Sequence, residues 1–136
     1  MDRSSLQRIS PAQVRSVLDT LCPVPALWEL EGDEIVAVTL PSGRITLEPG
    51  GQIEFSGLAR ATLNEIEIDV RGYLAELVAA GRSLGIDFVA TGVDPLRRLD
   101  EQRWVKKLRY DVMRPYLRAR GARRGEMMRR TRARQT

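Results

Sequence analysis

The stretch LEPGGQIEFS, residues 47–56, holds two alternating runs joined by a Pro-Gly-Gly break. Before the break, Arg44, Thr46 and Glu48 alternate with Ile45 and Leu47; after it, Gln52, Glu54 and Ser56 alternate with Ile53 and Phe55. A period of two is the mark of half-buried strands, because successive side chains leave opposite faces of the pleat. Closure through Pro49, Gly50 and Gly51 predicts a hairpin with Glu48 opposite Gln52 and Thr46 opposite Glu54. One face then carries Arg44, Thr46, Glu48, Gln52, Glu54 and Ser56, and the other Ile45, Leu47, Ile53 and Phe55. The polar face suits hard cations and phosphates, since magnesium takes one or two carboxylates together with nucleotide oxygens and water. An ordinary hairpin with one face in water is the plainer alternative.

Outward from the hairpin, helices and strands alternate. Ser10-Pro11-Ala12-Gln13 reads as an N-cap, a proline at the first helical position and a capping-box partner, and Val14, Val17, Leu18 and Leu21 then form one apolar stripe up to Pro23. Residues 26–30 and 35–40 are β-like runs around the turn Glu31-Gly32-Asp33-Glu34, which makes the hairpin the second half of a four-stranded meander. Thr62 and Glu65 form a second capping box. Leu63, Ile66, Val70, Leu74, Leu77 and Leu84 follow at helical spacing until Gly85, predicting a helix over 63–84 that covers the apolar face of the sheet. Residues 86–93 read as a further strand, and 101–120 as a helix kinked or split at Pro115. The expected fold class is α+β, an antiparallel sheet with helices packed on one face.

Composition bounds the function. At 136 residues with 43% hydrophobic content, the chain makes one modest domain. The absence of histidine argues against a zinc site or a histidine-based triad. The single cysteine, Cys22, forms no internal disulfide and reads as a packed thiol, so a reducing, cytoplasmic setting is expected. No apolar run approaches the roughly 20 residues of a membrane span. Charge is uneven: residues 101–136 carry thirteen Lys or Arg against Glu101, Asp111 and Glu126, a net of +10, so the first 100 residues carry −6 to reach the overall +4. Residues 121–136 read as a basic, mobile tail. Such a run can bind nucleic acid through phosphates, but it matches no nucleic-acid motif, so nucleic acid is not the expected partner.

The string LEPGGQIEFSG resembles the LEPGGQ-x-E-x-S signature of the plant and proteobacterial type of glutamate-cysteine ligase. Downstream, Leu84-Gly85-Ile86 with Gly92 and Pro95 resembles that family's LG-I-x-F-x-x-x-G-x-x-P segment. The run from Lys107 to Tyr116 is similar to K-x-RY-x-x-M-x-x-Y, and Met127-Met128 with Arg130, Thr131 and Gln135 to MM-x-RT-x-x-x-Q. The likeness covers roughly residues 26–135. It departs where the family continues into a V-Q-x-N-x-D strand and where it opens with an E-x-E strand, neither of which is found here. The expectation is an internal piece, or a shortened relative, of a glutamine synthetase-like ligase fold.

The resemblance implies an ATP- and magnesium-dependent enzyme whose small-molecule substrates are L-glutamate and L-cysteine. It implies that Glu48 and Glu54 face the metal, that Gln52, Lys107 and Thr131 face the nucleotide, and that Arg109 and Arg130 bind substrate carboxylate or phosphate. For Tyr110, Met113 and Tyr116 helical spacing implies core positions. Another ATP-dependent carboxylate-amine ligase, or a non-catalytic basic module that binds nucleic acid, are the alternatives.

Overall fold

A computed structural model describes residues 1–2, 8–90 and 104–121. Helix α1 spans Pro11–Leu21 and opens on the expected capping box, with the Gln13 amide donating to Ser10 and the Ser10 amide to the Gln13 side chain. Strands β1 (Trp28–Glu31), β2 (Glu34–Leu40), β3 (Gly43–Leu47) and β4 (Ile53–Gly57) pair antiparallel in chain order, the meander read from the sequence. The first run starts later than expected. Pro25–Leu27 form a 3₁₀ turn, closed by the Leu27 amide on the Val24 carbonyl at 2.9 Å, because Pro25 suits the first position of a helical turn and donates nothing to a ladder.

A bulge in β2, which simple alternation does not announce, changes what the sheet buries. Glu29 pairs with Ala37 but Leu30 pairs with Ile35, so Val36 is the extra residue. The parity switch places Ile35 beside Val38 in the core although they are three residues apart. Ala37 falls on the opposite face, in the cross-strand row Glu29, Ala37, Thr46, Glu54.

Helix α2 spans Leu63–Leu84, from the Thr62–Glu65 capping box to Gly85, whose φ of +68° supplies the left-handed stop. The helices α1 and α2 cover the same face of the sheet, where Val17, Leu18, Tyr73 and Leu77 pack with Ile35, Val38, Ile45 and Leu47. Burying each such aliphatic side chain contributes roughly 1.5–3 kcal/mol before the loss of chain entropy. Phe55 of β4 stacks on Tyr73, ring centroids 4.4 Å apart, locking the signature hairpin to α2. Cys22 is the packed thiol expected, and its carbonyl accepts the Trp28 indole N–H at 2.7 Å.

Two expectations are corrected. Of the strand expected over 86–93, the described part, residues 86–90, pairs among the described residues through the bridge between Ile86 and Asp2; the Asp87 amide donates to the Met1 carbonyl and the Met1 ammonium donates to the Asp87 carbonyl, so residues 1–2 rather than the four-stranded sheet are its partner there. The helix expected over 101–120 begins at Leu108: α3 spans Leu108–Ala119 and runs through Pro115. Residues 104–107 stay outside the helix: the Val105 amide donates to the Pro49 carbonyl at 2.8 Å, the Lys107 amide turns back to the Val105 carbonyl at 3.0 Å, and Lys107 itself has extended angles. Along α3, Tyr110 is buried as expected, but Tyr116 is 52% exposed, with the Arg120 guanidinium over its ring. The row Leu108, Val112, Tyr116 points away from the sheet, so helical spacing here marked an outward face. The expected basic tail, beyond Gly121, lies outside the described residues.

Candidate functional site

The hairpin closes as its chemistry demands. The Glu48 amide donates to the Gln52 carbonyl at 2.8 Å and the Gly51 amide to the Glu48 carbonyl at 2.6 Å, with Pro49 at the first corner. Gly51, at φ +76°, takes the left-handed position that a three-residue hairpin loop requires. Thr46 lies opposite Glu54 and Leu47 opposite Ile53, the register read from the alternation. Glu48, Gln52 and Glu54 thus stand together at the hairpin's closed end, and the Gln52 carboxamide oxygen is buried.

Against this face lies the segment leading into α3, fastened by carboxylates of β1, β2 and the hairpin. Glu31 accepts the Leu108 amide at 2.5 Å, capping an α3 whose own N-cap, Lys107, provides no side-chain bond. Glu34 pairs with Lys106 at 3.4 Å, and Arg109 approaches the Glu48 carboxylate at 4.0 Å. The result brings Lys107 and Arg109 over Glu48, some sixty residues away in sequence. Tyr110 lies at the centre: its hydroxyl accepts from Arg109 at 2.9 Å, and Lys107 and Arg109 lie 5.9 and 4.9 Å from its ring. Trp104 tilts against the same ring.

The electrostatics follow from partial burial of mixed charges. Burial and then the neighbouring charge of Glu54 push the Glu48 carboxyl above its ordinary range, against the opposing pull of Lys107 and Arg109. Lys107, only 7% exposed, is pushed down by burial and by Arg109, with Glu48, Glu29 and Glu31 opposing. Burial also raises the Tyr110 phenol, against its bond from Arg109. Two carboxylates held close at a repulsive cost, with cations alongside, form an arrangement that a shared ligand would relieve. Among the described residues, no three His, Cys, Asp or Glu side chains are grouped to hold a metal ion. Glu48 and Glu54 nonetheless supply the one or two carboxylates that magnesium takes from a protein when phosphates complete its shell. That donor set fits magnesium bound with a nucleotide rather than a closed protein cage.

Of the residues singled out in the sequence, Glu48, Gln52, Glu54, Lys107 and Arg109 gather on this face, whereas Arg130 and Thr131 lie outside the described residues. The sequence reading placed Arg44 on this face but missed Glu29 and Glu31 as parts of the charged layer, and Tyr110 as its hub. Glu29 pairs with Arg44 and Glu31 docks α3. The alternation in Trp28-Glu29-Leu30-Glu31 was the signal that could have found the two carboxylates. A separate open depression, between Leu21, the Pro41–Ser42 turn and Ala79, lies beside the helices and holds none of these residues. Among the described residues, no helix is long and apolar enough to cross a membrane.

One face of the antiparallel sheet thus sets the paired carboxylates Glu48 and Glu54 beside a cluster of Lys107, Arg109 and Tyr110. The family model described as glutamate-cysteine ligase family 2 matches residues 2–136, and the chain belongs to that family. It is similar to the chloroplastic glutamate–cysteine ligase of Brassica juncea, 37% identical over 106 residues that make up 76% of this chain and 21% of that protein. It is likewise similar to that of Arabidopsis thaliana, 37% identical over 92 residues, 66% of this chain and 18% of that protein. Glutamate–cysteine ligase A of Oryza sativa subsp. japonica is 33% identical over 115 residues, 83% of this chain and 23% of that protein. The chain spans about a fifth of the length of the curated relatives it matches.

Proposed function

We propose that this chain carries part of the active site of an ATP-dependent ligase that joins the γ-carboxylate of L-glutamate to the amine of L-cysteine, the first step of glutathione or related thiol synthesis. The observation that carries the reading is the convergence of Glu48, Glu54, Lys107 and Arg109 on one sheet face in a member of this family.

A carboxylate is a poor acyl donor. In this reaction an oxygen of the glutamate γ-carboxylate attacks the terminal phosphorus of ATP, ADP leaves, and the cysteine amine then displaces phosphate from the γ-glutamyl phosphate. Such chemistry asks a protein mainly for positioning and charge neutralisation. Arg109 offers a guanidinium fork, half in solvent, that can bind a substrate carboxylate or phosphate in bidentate fashion. Lys107 places an ammonium in a low-dielectric position, where its field on a transferred phosphoryl group is least screened. The Gln52 carboxamide is suited to hydrogen-bond a nucleotide phosphate, and Arg130 and Thr131 would join this group. Glu48 and Glu54 would hold magnesium, which when bound neutralises the phosphates. The buried, unbridged Cys22 suits a reducing compartment such as the cytoplasm.

Calorimetry with magnesium-ATP tests the reading. The parent protein is expected to bind, and Glu54→Gln, which keeps the volume but removes one anionic oxygen ligand, to weaken binding about tenfold or more while leaving the melting temperature unchanged. A parent that takes up no magnesium-ATP at millimolar concentration, or a variant that binds equally well, defeats it.

A further inference from the structure

Arg109 poses a physical problem that the proposed site leaves open. Its side chain is 59% exposed, and its carboxylate neighbour Glu48 is 4.0 Å away, a separation at which an exposed ion pair holds an arginine only weakly. A guanidinium left to swing in water would be a poor docking point, because ordering it on binding costs about 1 kcal/mol of side-chain entropy. Something firmer stands beneath it. Tyr110 is 2% exposed, packed against Trp104 and anchored in the first turn of α3, so its ring and hydroxyl are fixed by the fold. The hydroxyl accepts a hydrogen bond from Arg109 at 2.9 Å, and the guanidinium carbon lies 4.9 Å from the ring centroid. Hydrogen bond and cation–π contact together fix both the direction and the plane of the fork. Lys107 reaches the same ring from 5.9 Å.

We propose that Tyr110 is the positioning residue of this site: by stacking under Arg109 and accepting its hydrogen bond, it holds the guanidinium over the hairpin carboxylates ready for an anionic ligand group. The inference deepens the ligase reading and rests on it for the identity of that ligand, but the pre-ordering of Arg109 is a property of the free protein. Tyr110 touches no substrate in this account; it acts through Arg109.

The test is nitrogen-15 relaxation of the Arg109 Nε–Hε group in the ligand-free protein, in the parent and in two variants. In the parent, Arg109 is expected to be ordered close to rigid backbone, near an order parameter of roughly 0.8, against below about 0.6 for a flexible group. Tyr110→Phe, which keeps the ring and removes only the acceptor, should lower that order, whereas Glu48→Gln should leave it in place. A purely structural tyrosine would not move this signal at constant melting temperature. The proposal is overturned if Arg109 is already mobile in the parent, or if Glu48→Gln releases it and Tyr110→Phe does not. Should Tyr110→Phe fail to fold, the parent and Glu48→Gln measurements still decide. Because no ligand enters the experiment, failure of the magnesium-ATP titration counts against the ligase reading alone.

Discussion

Glu48 shows how burial beside a second carboxylate works against stability at a single residue. Its folded carboxyl holds a proton more tightly than the unfolded chain does, chiefly through burial and then through Glu54. Ionisation therefore disfavours the fold: the penalty is absent below the ordinary value of 4.5 and is complete once pH has risen past the folded value. Glu48→Gln should accordingly stabilise the protein at pH 7 while weakening magnesium-ATP binding. Because the carboxylate is about one-third exposed, solvent screens the penalty and the gain is expected to be a small rise in Tm. Thermal melts at pH 7 and pH 4 check the sign, since the difference should vanish at the lower pH. Gly51 is the other decisive residue. Its position has room for a Cβ, with Arg8 and Val105 at 3.7 and 3.8 Å, so the obstacle is the φ of +76° and not crowding. Gly51→Val is expected to cost roughly 2 kcal/mol and Gly51→Asn less than half of that, because asparagine tolerates the left-handed region. Urea titration of both variants distinguishes strain from collision, which would penalise asparagine equally.

At the scale of elements, the capping boxes, the Gly85 stop and the register of the signature hairpin were legible because each depends on residues within four or five positions of one another. The elements that departed did so where a distant partner competed. Residues 104–107 stay outside the helix where Pro49 takes the Val105 amide, and α3 starts where Glu31, 77 residues earlier, accepts the Leu108 amide. Removal of this cap is therefore a test of docking. Glu31→Ala should cost about 1 kcal/mol, seen as roughly fivefold faster hydrogen exchange at Leu108 with α1 and α2 protection unchanged. Equal acceleration throughout the protein would mean that α3 and the sheet open only as one unit. Tyr116 illustrates the converse limit. Its spacing with Leu108 and Val112 is as helical as that of any core stripe, yet periodicity alone does not say whether a partner covers the face.

For the whole molecule, the stacked pair Phe55 and Tyr73 ties the hairpin that bears the site to the helical layer, and it gives the fold an alkaline limit. Burial pushes the Tyr73 phenol from 10.0 to about 12. The folded state keeps this proton more tightly than the unfolded chain, so the associated stability is full below pH 10 and is lost as pH rises toward 12. Ultraviolet tyrosinate titration should show one of the three tyrosines ionising last and together with loss of ellipticity. A Tyr73 that titrates near 10 with the fold intact would show that α2 does not seal the sheet there. By itself the sequence determined the meander, the capped starts of α1 and α2, the polar hairpin face and the family, because strand period, capping and turn chemistry act over short spans of chain. Only the tertiary structure decided that Ile35 joins Val38 in the core, since one bulged residue reverses the parity of everything beyond it. Only the tertiary structure, too, set Lys107, Arg109 and Tyr110 over Glu48. That meeting arises from the docking of an acidic sheet face on a basic segment, and proximity across sixty residues is written in no local pattern.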